Sequence, residues 1–329
     1  MEQASLIGCV VAPAIISLAF LFLTAFVSRR QAVWSDPATA VIVSIGWCAA
    51  VASTLVIRQD LELSALEAWH MVLAPIALSA VGWAWMTALA QRGSEFRWVV
   101  AAIGCLVTAM IAMPSGDGWT DMLPLHRGWM AAIAGASLLN VWMLNRMIDR
   151  GASQWVLLVT LAGLAAPTLL AASAYGSLAE WLLGAIVTTF VFTLAVRFVA
   201  VIQPHWIIVP VTLVAACATA TGRFYTYDDN SRWLYGVILL TPSLIAVLDG
   251  WVWKWSTAKR IAIAGIVATV LLAGIGWYLF GEMLFSDPLQ GFRCPELYFT
   301  WDLHPRLAPA VPIGTNVTSP AGGLSLPVA

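Results

Sequence analysis

The chain has 329 residues, of which 61% are hydrophobic and only 10% charged, with a formal net charge of −1 and a mean hydropathy of +0.86. Soluble domains carry about 25% charged residues, so this chain has too little charge to cover its own surface in water, and lipid must solvate it instead. It has no basic run, no zinc-ligand spacing and no arginine-rich tail, which argues against nucleic acid as a partner.

The apolar runs are long and do not alternate with period two, which excludes a β-barrel pattern and predicts an all-α fold, a polytopic membrane helix bundle. The first run, in MEQASLIGCVVAPAIISLAFLFLTAFVSRR, lacks a basic segment ahead of it, is too long for a signal peptide and carries its positive charge afterwards, so it reads as a retained span. With about 20 apolar residues per crossing, ten spans are expected at about 6–27, 38–57, 69–90, 98–113, 129–147, 154–174, 181–202, 206–221, 233–249 and 261–280. Tryptophan repeats the count: Trp69, Trp98, Trp129, Trp155, Trp181, Trp206 and Trp233 stand near the starts of seven of these runs, and indole favours the headgroup layer.

Lys and Arg set the orientation. Arg29, Arg30, Arg92, Arg97, Arg146, Arg150, Arg197, Lys254, Lys259 and Arg260 fall on one set of loops, with only Asp36, Glu95, Asp149 and Asp249 as acids. The positive-inside rule puts this set in the cytoplasm and both termini outside. Residues 1–280 are expected to form the membrane domain. The proline-rich stretch 281–329 reads as an extracytoplasmic tail, extended or disordered. Asn316-Val-Thr matches a glycosylation acceptor there, meaningful only in a eukaryotic secretory pathway. The expected location is a cell inner membrane or plasma membrane.

Candidate chemistry is taken in chain order. Residues 58–70, RQDLELSALEAWH, place Glu67 and His70 on one helical face; an amphipathic interfacial helix explains them better than a metal site. Residues 114–129, PSGDGWTDMLPLHRGW, form a loop whose Pro and Gly residues impose turns, carrying Asp117, Asp121, His126 and Arg127. Two carboxylates, an imidazole and a guanidinium suit a polar headgroup or divalent cation; solvated turn-capping residues are the competing account. Asn140 and Asn145 in span five are neutral polar groups suited to interhelical hydrogen bonds.

Spans six and nine contain helix-break candidates: Gly163 and Pro167 in one, Thr241, Pro242 and Ser243 in the other. Broken helices expose carbonyls to a substrate or ion, although proline is also common in membrane helices as a packing feature. Between spans eight and nine, RFYTYDDNSRW holds Asp228 and Asp229 between Arg223 and Arg232. Internal pairing is the bland account; the sharper one joins the two aspartates with Asp117, Asp121 and His126 in one outer polar site. Span ten has Gly265, Gly274 and Gly276, small residues that permit close helix approach.

Five cysteines without a CxxC give no disulfide framework. Metalloprotease, hydrolase-elbow, P-loop and dinucleotide motifs are absent, and no metal or cofactor is assigned. No deep carboxylate marks a proton-driven antiporter. The expectation is therefore a multi-pass membrane protein whose partner is the lipid bilayer. A small-solute transporter is its favoured role; the alternatives are an enzyme acting on a lipid-linked substrate at the outer face and a non-catalytic subunit or scaffold of a membrane complex. The orientation is tested by single-cysteine labelling in intact cells: Ser231→Cys should react with an impermeant maleimide from outside and Ser94→Cys only after permeabilisation.

Overall fold

The structure, a computed structural model, describes residues 6–29, 35–57, 68–89, 95–114, 123–153, 155–198, 202–224 and 230–285. Among these, every regular element is helical. Ten long helices follow one another: α1 Ile7–Ser28, α2 Ser35–Ile57, α3 Leu73–Leu89, α4 Phe96–Ala112, α5 Leu123–Met147, α6 Val156–Ala174, α7 Gly176–Phe198, α8 Ile208–Phe224, α9 Arg232–Trp251 and α10 Thr257–Phe285. Seven are long and apolar enough to cross a membrane; α3, α4 and α8 are shorter apolar helices of 17 residues. Large apolar side chains point outward along the bundle, among them Phe22, Leu78 and Phe198, which fits a surface solvated by hydrocarbon.

Several boundaries differ from the sequence reading for identifiable reasons. The segment before Trp129 was expected to be a loop, yet α5 begins at Leu123, so His126 and Arg127 sit in its first turns. Pro124 does not prevent this, because the first residues of a helix have no intrahelical acceptor for their N–H groups. Likewise α8 runs on through Arg223 and Phe224, which the sequence placed in the following loop. Pro210 lies in the first turn of α8, where a missing N–H costs nothing.

The contacts arrange α2, α3, α4, α5, α9, α6 and α7 as a closed ring, each packing on the next and α7 returning to α2. The central position belongs to α8, which touches α3, α4, α5, α6, α7 and α9. Its sequence suits that place: nearly every residue from Ile208 to Gly222 is buried, and most are small or β-branched. Small residues let helix backbones approach where no hydrophobic force separates protein from lipid. Outside the ring, α1 packs on α2 and α7. Helix α10 is the least embedded of the ten, with most of its length exposed. Helices α3 and α8 therefore occupy unlike positions, one on the rim and one on the axis.

The proline-bearing spans are continuous helices: α6 passes through Pro167 and α9 through Pro242 without a non-helical residue. They meet directly, since a Cβ added at Gly163 would lie 2.5 Å from the Pro242 side chain. Because Pro242 has no N–H and its ring crowds the preceding turn, α9 needs outside help there, and Asn140 of α5 provides it. Its amide N–H donates to the Leu239 carbonyl at 2.7 Å, and its oxygen accepts from the Ser243 N–H at 3.2 Å and from the Ser243 hydroxyl. Leu239 and Ser243 are the two ends of one i→i−4 rung, so the buried carboxamide serves both halves of it. Thr241 meanwhile donates to Val237 O at 2.9 Å.

Helix α10 is fastened near its start. Asp249, at the end of α9, accepts from Arg260 Nε and Nη2, each at 2.7 Å, and Arg260 Nη1 reaches Arg150 O at 3.2 Å. The pair is buried, with Arg260 also over the Trp155 ring at 5.5 Å. The carbonyl of Arg150 is presented by the turn joining α5 to α6, where Gly151 takes φ +83°, a left-handed conformation that glycine adopts without strain.

Replacing Asn140 with Leu should leave the Leu239–Ser243 rung without its partner and destabilise the bundle by about 2 kcal/mol, read as a lower unfolding midpoint in detergent. Asn140→Gln, which keeps the chemistry but overshoots the geometry, should fall in between.

Candidate functional site

Polar chemistry gathers at the two ends of the central helix rather than along its middle. At the end where α5 begins and α8 finishes, His126 is buried and meets Phe224 edge to face, with centroids 5.3 Å apart. Trp129, one turn further along α5, stands edge-on to Phe224 at 6.0 Å and to Tyr235 of α9 at 6.5 Å. Arg223 lies over this aromatic group, its guanidinium 5.8 Å from the Phe224 centroid and 5.3 Å from that of Tyr235.

Each placement follows from local structure. Residues 126 and 129 share one face of α5. Residues 223 and 224 ride on the last turn of α8, where a cation also complements the helix dipole. Tyr235 enters from the first turn of α9. The rings replace water beside the guanidinium, and Arg223 Nε is buried with no hydrogen-bond acceptor among the described residues. A guanidinium presents a planar fork of donors, geometry that matches a phosphate or carboxylate.

Thus the structure brings His126 next to the α8 end that opens RFYTYDDNSRW. Arg127 is exposed on the other side of α5 and takes no part in the cluster. Asp117, Asp121, Asp228 and Asp229 lie outside the described residues, as does Glu67, while His70 is buried on the short turn Ala68–Met71 before α3. Gly163, Thr241, Pro242 and Ser243 pack in the interior at the α5–α6–α9 contact described above, and Pro167 is buried in α6. Trp129, Tyr235 and Phe224 were not among the expected site residues. Their signal was partly present, since Trp129 lies one helical turn from His126 while Phe224 and Tyr235 stand on either side of the segment that bears Asp228 and Asp229, but aromatic side chains near span ends read equally well as headgroup anchors.

The opposite end of α8 carries a second group. His205, on the turn Pro204–Trp206, has Nδ1 3.1 Å from Asn145 Oδ1, and Asn145 Nδ2 donates to Asp149 at 3.2 Å. Trp83 Nε1 donates to the His205 carbonyl at 2.7 Å. Arg97 lies 5.6 Å from the ring centres of both Trp83 and Trp98. Burial lowers the His205 pKa below 6.5; Asp149 opposes this and Arg97 reinforces it. The hydrogen bonds and the tight apolar setting make this group a bracket that seats the start of α8.

Among the described residues no group of His, Cys, Asp and Glu could hold a metal ion. No protein-family model, curated protein or solved structure matches the chain.

The depressed pKa of His205 has a signed consequence. The unfolded chain binds this proton more readily than the folded one, so stability is full above about pH 6.5 and declines as pH falls from there toward the lower folded value. His205→Gln should flatten that acid decline in the unfolding midpoint while leaving the neutral-pH value little changed.

Proposed function

We propose that the chain crosses the membrane ten times with both termini outward, and that its outward end binds the anionic headgroup of a lipid-linked substrate. At about 1.5 Å per residue, the 17 residues of α3, α4 and α8 reach the lower limit of a spanning length, and for α8 the enclosing ring removes the need to match the bilayer thickness. The side assigned to the cytoplasm carries the excess of Lys and Arg.

One observation carries the functional reading: Arg223, whose buried Nε has no acceptor among the described residues, is set on the rings of Phe224 and Tyr235 beside His126. A phosphate arriving at the membrane surface would gain charge-assisted hydrogen bonds in a partly desolvated setting, where they are strongest. The two segments that bear Asp117, Asp121, Asp228 and Asp229 adjoin the helix ends that meet here. We assign these carboxylates to the same site, as groups able to hold a cation or a proton beside a bound phosphate.

A small-solute transporter would call for a polar cavity near the midplane between α6 and α9. Gly163 against Pro242 and the Asn140 bridge fill that space, and α8 fills the axis. Chemistry at the membrane surface accords better with this interior.

The test is calorimetric titration of the detergent-solubilised protein with dihexanoyl phosphatidic acid. Arg223→Gln should weaken binding roughly tenfold or more, the usual worth of a hydrogen bond to a charged group, whereas Arg127→Gln should not. Equal affinity in wild type and Arg223→Gln would refute the assignment.

A further inference from the structure

We propose that the groove between α9 and α10 holds a hydrocarbon chain of the phospholipid whose phosphate binds at Arg223; the inference rests on the headgroup reading above. The groove encloses about 330 Å³ and opens sideways to the bilayer. Helix α10 is tied to α9 near its start and again toward its far end, and Ala264, Val267, Ala268, Leu271 and Ile275 pack on the bundle between the ties. One tie is the Asp249–Arg260 pair; the other is the contact of the Ser231 N–H with the Tyr278 hydroxyl at 3.5 Å. Between them, a Cβ built on Gly274 meets no atom within 4 Å, so the glycine leaves open space rather than filling a contact. The walls are apolar: Leu234 and Val237 from α9, Val270 and Ile275 from α10.

The groove is continuous with the headgroup cluster. Leu234 and Ile275 belong to one buried apolar group with Tyr235, and Trp129 packs against that group. Tyr235 is the ring beneath Arg223. The groove's polar mouth, at Ser231 and Tyr278, is therefore at the same end of the bundle as the guanidinium. Ser231 also begins α9 without a side-chain cap, with Arg232 exposed beside it. Positive charge at the mouth with hydrocarbon walls below forms the profile of an anionic lipid: phosphate at the surface, chain descending along the helices. Because a chain leaving the bilayer exchanges one apolar surrounding for another, shape sets occupancy here more than hydrophobicity does. A side chain placed at Gly274 should accordingly compete with it.

The experiment uses full-length protein in phosphatidylcholine vesicles doped with phosphatidylglycerol bearing a photoactivatable diazirine on one chain. Labelling followed by peptide mapping should concentrate on the α9 and α10 peptides that contain Val237 and Val270. Gly274→Phe should reduce that labelling several-fold, and Gly274→Ala only slightly, with both variants unfolding near the wild-type midpoint. Headgroup binding is read separately with dihexanoyl phosphatidic acid, so loss of the groove label with retained Arg223-dependent titration separates the two claims. Labelling spread evenly over exposed faces such as those of Phe22 and Leu78 would overturn the groove assignment and leave the headgroup site standing. So would the absence of groove labelling combined with a self-association that Gly274→Phe abolishes, since the groove would then seat a helix of a second copy.

Discussion

In hydrocarbon there is no water to complete a missing backbone hydrogen bond, and this single constraint organises the molecule. It makes every described regular element a helix, and it dictates how the interruptions in those helices are repaired. Where Pro242 weakens the α9 ladder, Asn140 enters from α5 with a donor and an acceptor and occupies both ends of one rung. Elsewhere the chain keeps its hydroxyls at home. Ser17, Thr24, Ser137, Thr193, Thr212 and Thr219 each donate to the carbonyl four residues back in their own helix. Such bonds hide polarity without linking helices. Among the described residues, the polar bonds between elements act at particular places: Trp47 to Thr189 between α2 and α7, Asn140 between α5 and α9, Asp249 to Arg260 and Ser231 to Tyr278 between α9 and α10, and Ser44 and Trp83 to the carbonyls of the turn before α8. The rest of the cohesion comes from close approach, as where Gly163 admits Pro242 or Gly184 admits Thr54.

Putting a helix on the axis has consequences for where chemistry can reside. Within the ring the axis is occupied by the apolar α8, and among the described residues the arginine–aromatic groups sit at its two ends. Both ends of α8 show the same combination of an arginine on aromatic faces near a histidine: Arg97 with Trp83, Trp98 and the nearby His205 at one, Arg223 with Phe224, Tyr235 and the nearby His126 at the other. The environments differ. His205 is engaged through Asn145 to Asp149 and its carbonyl is held by Trp83, so that end is tied down on several sides. Among the described residues the Nε of Arg223 is buried without an acceptor, as is that of Arg97, and a donor of this kind in a partly dry setting favours an anion.

Much of the helix plan could be read from hydropathy, because ten runs of the right length leave little else for a chain with so few charges. The tryptophan spacing marked helix starts for a reason only partly foreseen. Trp233 is exposed, as a headgroup anchor should be, but Trp155, Trp181 and Trp206 are buried inside the bundle. Periodicity cannot distinguish these roles, since both put an indole at a terminus. Helix starts were misjudged at α5 because turn-forming residues were weighed individually; Pro124 sits in the one turn where proline is harmless. The Asn140 bridge and the Asp249–Arg260 pair were invisible as partnerships. A sequence shows a lone amide and two loop charges, and only the packing of α5, α9 and α10 shows that they meet.

Asp249 and Arg260 also show how one residue serves two stages of a membrane protein's life. On the expected orientation, Arg260 belongs to the basic loops that fix topology during insertion, when helices enter lipid before they pack. In the folded bundle its charge is consumed by Asp249, and its donors are divided between that carboxylate and the Arg150 carbonyl. A buried ion pair of this kind contributes modestly to net stability, because desolvating both ions offsets much of their attraction, yet it is severe on alternatives that leave either ion alone. It therefore specifies more than it stabilises. It anchors the start of the least embedded helix, and the groove between that helix and α9 lies toward the other, arginine-bearing end of the bundle.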